Sequence, residues 1–392
     1  MNEAVLPRPK SLLAHFAAIK DEREPCKVMY PLGEVLLLVV CGTMADCDDY
    51  DDIVLWGNTH LGFLRRLQPY YFGLPCADWL RVVMNRIGAD LFASCFLGFV
   101  AERLPKALGQ IAIDGKTSRR SHDRRRGQEA LHLVSAYATA HNLVLGSQAT
   151  EDKSNEITAI PLLLEELAAC GALAGSLVSI DAMGCQSDIA EKITGLGADY
   201  LLATKDNQKT AHAEIQLYFN DAPAHETDIL VETDKNHGRI ETRRHIVSQR
   251  VDWMSGKRRY PDEPRFMGLK TIAMVETSIE IGIETGTGQD RQVRTERRCY
   301  ISSRVLTAKA FAEAARAHWA IENSLHWVLD VRFKEDQSRL RRGHGAKNMA
   351  LVRHLALNLL RAIPGKQSIK ARRKLATWDD NYLLAALDLK PR

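Results

Sequence analysis

Short apolar runs alternate with amphipathic segments between residues 110 and 204, and this alternation restricts the possible folds more than any other feature. Strand-like runs cover 111–114, 131–138, 142–149, 177–181 and 200–203, and helical spacing covers 155–170 and 187–196. Three strands followed by helix, strand, helix and strand predict a mixed sheet with helices on both faces. Pro161 lies in the first helical segment and predicts that its regular part begins near Ala159.

The flanking segments follow other patterns. The first hundred or so residues predict helices over 11–19, 32–45, 53–67 and 79–104. The segment 205–297 predicts a β-rich insertion with strands over 229–233, 243–251, 271–277 and 293–301. Helical spacing returns over 308–329, 346–363 and 381–387. We therefore predict a helical N-terminal domain (1–105), an α/β domain in two parts (106–204 and 298–364), the insertion between those parts, and a basic tail (365–392) exposed over Gly365–Lys374.

Composition narrows the class of protein. The chain has 392 residues, of which 45% are hydrophobic and 26% charged, as in globular proteins with a large core. Its eight cysteines include no C-x-x-C pair, which argues against a zinc ribbon or a disulfide framework and is typical of a reducing compartment. The strongest apolar run, Val35–Cys41, is far shorter than the roughly 20 residues that span a bilayer. The start lacks the apolar core of a signal peptide, so we expect a cytoplasmic protein with no membrane partner.

Three carboxylates lie on segments that the pattern predicts to be buried. Asp114 ends the apolar run of Q-I-A-I-D-G-K-T, Asp181 ends that of L-V-S-I-D-A-M, and Glu322 lies in the helical segment 317–329. Each has a purely structural alternative, since an aspartate before glycine is often a turn residue, Asp181 can cap the next helix, and Glu322 can be a solvated helix residue.

The surroundings of Glu322 favour a functional role. At about 100° per residue, Ile321, Leu325 and Val328 form one apolar face. A second face carries polar and aromatic residues: Arg316, Trp319, Glu322, Asn323, His326 and Asp330. A glutamate beside an apolar face is costly to bury without a partner. Two strand-borne aspartates and this glutamate supply the oxygen ligands of a Mg²⁺ site, where two ions about 3.5–4 Å apart activate an attacking oxygen and stabilise a leaving one.

Basic residues cluster beside each of these segments, as phosphate binding requires. The clusters are Lys116, Arg119, Arg120 and Arg124–Arg126; Arg239, Arg243, Arg244 and Lys257–Arg259; Arg291, Arg294, Arg297 and Arg298; and Arg339, Arg341, Arg342 and Lys347. Any single cluster is also compatible with an ordinary solvated surface. We call the helical segment around Glu322 the glutamate helix. From the basic clusters and this helix we predict DNA contacts by Lys116, Arg119, Arg120, Arg239, Arg243, Arg316, Trp319, Asn323 and His326.

Five segments, in order along nearly the whole chain, resemble the H-repeat-associated DDE transposases of bacterial insertion sequences. They are A-I-D-G-K-T (112–117), V-S-I-D-A-M-G-C-Q (178–186), A-D-Y-L-L-A-T-K-D-N-Q (198–208), H-G-R-I-E-T-R (237–243) and H-W-A-I-E-N-S-L-H-W-V-L-D-V (318–331). The broader superfamily carries Tyr, Arg and Lys at set offsets from the glutamate, where this chain has Ala315, His318 and Leu329. The terminal-phosphate contacts of the superfamily therefore do not transfer to this chain.

The resemblance implies an RNase H-like fold with Asp114, Asp181 and Glu322 as the catalytic triad. It also implies two Mg²⁺ or Mn²⁺ ions, cutting and joining of DNA at element ends and target, and a homodimer on DNA. By analogy the N-terminal region selects the DNA sequence. Within this hypothesis we also expect His326 or Asp330 to orient water. The segment 237–241 is either a plain tight hairpin or one that directs Arg239 at the element end.

Two other functions are compatible with the same residues. The chain could be a catalytically silent or repurposed DNA-binding protein, against which the intact triad argues. It could also be an RNase H-fold nuclease acting on RNA–DNA hybrids, for which the insertion and the N-terminal domain are superfluous. Metal-dependent nicking of DNA that carries the element ends distinguishes the transposase from the first alternative. Hybrid cleavage without strand joining would indicate the second.

Overall fold

The computed structural model describes residues 11–123, 127, 129–150, 156–236, 239–255, 266–285 and 288–389. Within these ranges it describes all side chains except those of 206, 236, 255, 281–285 and 288–292. The predicted phosphate-binding residues Arg124–Arg126 and Lys257–Arg259, and the hairpin residues His237 and Gly238, lie outside the described residues, and the side chain of Arg291 is likewise outside them.

In the described part of the chain, nine strands form one mixed sheet in the order β3-β2-β1-β4-β5-β9-β8-β7-β6. The strands are β1 (Gln110–Thr117), β2 (His132–Ala138), β3 (Leu143–Thr150), β4 (Leu177–Ile180), β5 (Asp199–Thr204), β6 (Asp228–Asn236), β7 (Arg239–Ser248), β8 (Thr271–Thr285) and β9 (Gly288–Ser302). β1 runs antiparallel to β2 and parallel to β4, and β4 runs parallel to β5. Every residue of β2 and of β4 is buried, as expected for strands covered on both faces. The predicted mixed sheet flanked by helices is confirmed.

The described part of the chain contains fifteen α-helices. They are α1 (Leu12–Ala17), α2 (Leu32–Met44), α3 (Tyr50–Thr59), α4 (Leu61–Arg65), α5 (Ala77–Arg86), α6 (Ala89–Ala101), α7 (Glu156–Ala169), α8 (Ser187–Gly195), α9 (Lys209–Asp221), α10 (Asp252–Ser255), α11 (Ala308–His318), α12 (Trp327–Arg332), α13 (Gly345–Ala362), α14 (Ile369–Trp378) and α15 (Asp380–Leu387). The core helix is α13, which packs against α2, α5, α6 and β3.

The β-rich segment 205–297 extends the same sheet. Its strand β9 pairs with β5 on one side and with β8 on the other, so the nine strands are continuous. β9 spans 288–302 and therefore crosses the boundary predicted at 297/298. The helix α9 was not predicted, because only Ile215 and Phe219 of its thirteen residues are buried and the apolar spacing is weak.

Three predicted helices differ from the structure. The segment 79–104 is two helices, α5 and α6, which meet at an angle of 87° because Ile87 and Gly88 adopt extended backbone conformations. The segment 53–67 is also two helices, separated at His60. α7 begins at Glu156 rather than near Ala159, so Pro161 lies inside it at the cost of one backbone hydrogen bond.

The segment predicted as an exposed basic tail is folded. Ser368 caps α14 through the backbone N–H of Ala371, and Arg372 and Arg373 are buried. The guanidinium of Arg372 donates to the carbonyl of Leu360, in the last turn of α13, at 2.6 Å, and to that of Gly365, just after α13, at 2.7 Å. Helix ends leave carbonyls without backbone donors, so these arginines complete hydrogen bonding at a helix terminus instead of facing solvent.

Among the described residues no single helix is long and apolar enough to cross a membrane. The bent pair α5 and α6 meets the length and composition criteria only when both helices are taken together.

Candidate active site

Asp114 and Asp181 are neighbours because their strands are parallel. The register of β1 and β4 pairs Ile113 with Ile180, so the next residue on each strand is an aspartate. Asp181 also accepts hydrogen bonds from the backbone N–H groups of Met183 and Gly184, at 3.0 and 3.4 Å. It therefore shapes the turn after β4 and at the same time places a carboxylate beside Asp114.

Glu322 lies in a π-helical segment, Ile321–His326, between α11 and α12. The continuous α-helix predicted over 308–329 is wrong at this point. The apolar face predicted there is confirmed, because Ile321, Leu325 and Val328 are buried. The residues of the predicted polar and aromatic face differ in exposure, because Glu322 is exposed whereas the His326 side chain is only 12% exposed. A π turn carries more residues than an α turn, and π segments inside helices are frequent at functional sites.

All three carboxylates line one cavity of about 520 Å³. Basic groups from β9 and from the chain after β5 line the same cavity: Lys205, His212, Arg297 and Arg298. The pKa of Asp114 is raised to about 7, first by burial and then by the charge of Asp181, with smaller contributions from Glu156 and Glu322. Negative charge is therefore concentrated at one end of the cavity, which a cation would relieve.

The donor set fits a hard divalent cation. Carboxylate oxygens are the ligands of Mg²⁺, which keeps several waters and needs only one or two protein carboxylates. Within the described residues no three His, Cys, Asp or Glu side chains converge closely enough to be assigned as a metal cluster. The three carboxylates thus surround a cavity and do not form a closed cage.

His326, which is predicted to contact DNA, lies against Asp114 and is largely buried. Its Nδ1 is 3.4 Å from Oδ2 of Asp114. Burial, with the nearby charge of Lys116 next, lowers the pKa of His326 to about 3, so the ring is neutral. A neutral ring that carries its proton on Nδ1 faces Asp114 with a donor.

Lys116, which is also predicted to contact DNA, is largely buried among carboxylates. Its side chain is 10% exposed, and its Nζ lies 2.7 Å from Asp330, 2.9 Å from Glu335 and 3.7 Å from Asp336. A DNA phosphate would have to compete with three carboxylates for this ammonium group. The two arginines that follow are on the surface, and Arg119 lies 3.4 Å from Asp336.

Four of the other predicted DNA contacts lie in a groove beside the carboxylates. A second cavity of about 470 Å³ is lined by Arg239, Arg243, Arg316 and Trp319. It shares five lining residues with the first cavity: Glu296, Arg298, Tyr300, Ala315 and Trp319. We call the two together the arginine groove. Asn323 is exposed but does not line either cavity.

The arginines of this groove have acidic partners. Arg243 pairs with Glu241 at 2.7 Å and with Asp234 at 3.3 Å, and Arg316 pairs with Glu232. The guanidinium carbon of Arg298 lies 4.9 Å from the centroid of the Trp319 ring. The groove is therefore a pre-ordered array of arginines with mixed charge, and phosphates would replace some of these partners.

Sequence reasoning missed a buried pair behind Asp114. Nε2 of His132 is 2.7 Å from Oε1 of Glu156, and Nδ1 of His132 is 2.7 Å from Oγ1 of Thr117. A Cβ on Gly115 would lie 2.3 Å from that glutamate oxygen, so any larger residue there would displace the pair. Gly115 lies inside β1, where a glycine marks the close approach of another group, and it was the one available signal, although the strand predicted over 111–114 ends before it. Glu335, which is buried below Lys116, has no such signal.

Two family descriptions match consecutive parts of the chain. Residues 105–359, which include the three carboxylates, match the family described as "Transposase DDE domain". Residues 13–100, which include α2 to α5 and most of α1 and α6, match the one described as "DDE_Tnp_1-associated".

The chain is similar over nearly its whole length to two proteins of Escherichia coli. It is 37% identical over 389 residues to "H repeat-associated putative transposase YhhI" of strain K12, over 96% of this chain and 98% of that protein. It is 39% identical over 378 residues to "Putative transposase YncI" of strain O157:H7, over 95% of this chain and 93% of that protein. Among solved structures, it resembles "Cryo-EM structure of piggyBac transposase synaptic complex with hairpin DNA (SNHP)" with a TM-score of 0.43 and 8% identity, over 96% of this chain and 77% of that one.

Proposed function

The chain belongs to the family of DDE-domain transposases of insertion sequences, and from this premise we propose that it cleaves DNA at element ends and joins the freed 3′-hydroxyl to target DNA. The observation that carries the proposal is that Asp114, Asp181 and Glu322 line one of the two adjoining cavities that make up the arginine groove. DNA lying in that groove would bring a phosphodiester to the carboxylates.

Asp114 and Asp181 would hold divalent ions, Mg²⁺ or Mn²⁺, and Glu322 would complete the shell of one of them. Bound ions of this kind activate an attacking oxygen and stabilise a leaving oxygen in phosphoryl transfer. This assignment is supported by the shared cavity of the three carboxylates, and by the charges of Asp181 and Glu322, which add to burial in raising the pKa of Asp114. His326 would keep the Asp114 carboxylate oriented toward the cavity by donating to Oδ2, and its distance of 3.4 Å is compatible with a contact that tightens on binding.

Arg239, Arg243, Arg298 and Arg316 would hold the DNA backbone along the groove. Such phosphate contacts give affinity and salt dependence but little sequence selection. Trp319 stands where the two cavities join and would lie against the DNA closest to the carboxylates. Two copies of the chain, one at each element end, would bring the ends together.

A DNA-binding protein without cleavage activity would use the same groove, and the experiment that decides is a nicking assay. The substrate is a supercoiled plasmid that carries the genomic DNA flanking both sides of the gene, incubated with Mg²⁺. We expect the wild type to nick the plasmid within the flanks and the Asp181→Asn variant to bind it equally well without nicking. Equal binding by both proteins, with nicking by neither, would leave the silent DNA-binding protein as the function.

A further inference from the structure

We propose that Lys116 is a positioning residue that clamps the glutamate helix to the strand of Asp114, and so fixes Glu322 relative to both aspartates. The proposal rests on the proposed function, since it assigns a task to Lys116 within that same site. We call Lys116, Asp330, Glu335 and Arg353 the lysine clasp.

The clasp begins on the strand of Asp114. Alternate residues of a strand point to the same face, so Lys116 projects on the side of Asp114, toward the glutamate helix. Its Nζ lies 2.7 Å from Oδ1 of Asp330, on α12. α12 follows directly after the π segment that carries Glu322, so this ion pair ties the far end of that segment to β1.

The buried Glu335 links Lys116 to Arg353 within the clasp. Oε2 of Glu335 is 2.9 Å from Nζ of Lys116, and Oε1 is 3.7 Å from the guanidinium of Arg353 on α13. The Glu335 and Arg353 side chains are 3% and 4% exposed. Burial alone would raise the pKa of Glu335, but Lys116 and Arg353 lower it, so the carboxylate is charged. A buried charge network of this kind is geometrically restrictive because each group loses its partner if another moves.

The backbone is bent to bring Glu335 into place. Lys334, the residue before it, has a φ of 49° and a left-handed conformation, which is uncommon for a residue with a side chain. Nζ of Lys334 is held 2.5 Å from Asp48, near the start of α3. Strained residues persist where the surrounding structure requires them. Here the turn at Lys334 places the Glu335 carboxylate in contact with Lys116.

The near end of the π segment is tied to the strand of the other aspartate. Nδ1 of His318, at the end of α11, lies 3.0 Å from the hydroxyl of Ser179, two positions before Asp181 on β4. In the middle, the guanidinium of Arg361 donates to the carbonyl of Ser324. The segment that carries Glu322 is thus fixed to β4 at one end and to β1 at the other, and the clasp is the second attachment.

The test uses cation binding, which does not depend on catalysis. In the absence of DNA we would measure the rise in Tm that Mn²⁺ causes in the wild type, in Lys116→Met and in Asp330→Asn. The matched control is Arg119→Gln, three residues from Lys116 and 83% exposed. We expect the Mn²⁺-induced rise to fall by at least half in Lys116→Met and Asp330→Asn, and to stay at the wild-type value in Arg119→Gln.

DNA binding separates the clasp from a phosphate contact. Plotting log K for DNA against log salt, we expect the wild-type slope in Lys116→Met and a slope about 0.9 shallower in Arg119→Gln. A shallower slope in Lys116→Met with a full Mn²⁺ response would overturn the proposal and make Lys116 a DNA contact. A full Mn²⁺ response in Asp330→Asn would overturn it as well.

Two further features keep the test decisive. Asp330→Asn keeps the size of the side chain and leaves the pair of Lys116 with Glu335, so it remains informative if Lys116→Met does not fold. A wild type that binds Mn²⁺ but does not nick DNA would contradict the proposed function. The Mn²⁺-induced rise in Tm of the variants, compared with that of the wild type, would still test the lysine clasp. A wild type with no Mn²⁺ response at all would overturn both.

Discussion

Asp114 is influenced by groups on several other elements. Asp181 stands beside it on β4, and His326 faces its Oδ2 from the π segment. The absence of a side chain at Gly115 allows Glu156 to approach the backbone from behind. Each of these contacts either raises the charge density at the Asp114 carboxylate or fixes its position, which is what a cation ligand needs.

The contact of His326 with Asp114 predicts a defined loss of activity. Replacing His326 with Phe removes the donor to Oδ2, and we expect DNA nicking at limiting Mg²⁺ to fall by about 10–100-fold, as for other groups that orient a metal ligand. His326→Asn keeps an N–H near the position of Nδ1 and should lose less. Equal nicking rates for His326→Phe and the wild type across a Mg²⁺ titration would contradict this role.

At the residue scale, the candidate site residues could be identified from the sequence, but the residues that contact them could not. The aspartates and the glutamate were found because each ends or occupies a buried segment and because five segments resemble a known family. Lys116 was assigned to DNA because a sequence shows a positive charge without its counter-charges, which come from residues 330 to 336. Contacts between residues so far apart in sequence leave no local pattern.

At the scale of elements, the glutamate helix shows where periodicity stops being informative. The sequence from 308 to 329 has helical spacing throughout, yet the chain leaves α-helical geometry between Ile321 and His326. Arg361 donates to the carbonyl of Ser324 inside that segment, where the π geometry leaves it accessible. The same limit explains α5 and α6, since apolar residues on both sides of Gly88 gave no sign of the 87° bend.

The docking of α13 on the edge strand β3 leads to a stability prediction. The side-chain amide of Asn358 accepts from the N–H of Val144 at 2.9 Å and donates to its carbonyl at 2.8 Å. Asn358→Leu would leave both backbone groups buried without partners, and we expect a loss of about 2–4 kcal/mol in the free energy of unfolding. Asn381→Ala on exposed α15 should change it by less than about 0.5 kcal/mol, and urea unfolding measures both. A loss in Asn358→Leu no larger than in the control would contradict the assignment.

At the scale of the whole molecule, the sheet joins the predicted α/β domain and the insertion into one surface. The strand β9 contributes Arg297 and Arg298 to the carboxylate cavity, and β7 contributes Arg239 and Arg243 to the adjoining one. The fold class and the strands of 110–204 could be predicted, because apolar alternation is a local signal. The continuity of the nine strands could not, because pairing of β5 with β9 depends on residues about a hundred positions apart.

The arginine groove predicts how salt acts on DNA binding. Arg239→Gln removes one phosphate contact, so the slope of log K against log salt should become about 0.9 shallower, with similar losses on unrelated duplexes. Lys370→Gln is the control, because Lys370 is exposed on α14 and lines neither cavity of the groove. An unchanged slope in Arg239→Gln would place the DNA elsewhere.

The core helix α13 predicts how stability depends on pH. Burial lowers the pKa of His354 to about 4, below the usual 6.5, so between these values the unfolded chain binds a proton that the folded chain does not. Stability should therefore be complete above about pH 6.5 and fall as the pH drops toward 4, by up to about 3 kcal/mol from this residue. His354→Leu should flatten the curve measured by urea unfolding, and His225→Gln, at an exposed position, should not. A wild-type slope in His354→Leu would contradict the prediction.

The central claim is that Asp114, Asp181 and Glu322 act together as one divalent-cation site, and calorimetric titration with Mn²⁺ tests it most directly. The proteins are the wild type, Asp181→Asn, Glu322→Gln and the triple variant that also carries Asp114→Asn, each checked for wild-type circular dichroism. We predict saturable binding by the wild type, weaker binding by each single variant and none by the triple variant. Equal binding by the wild type and the triple variant would place the cation elsewhere and contradict the claim.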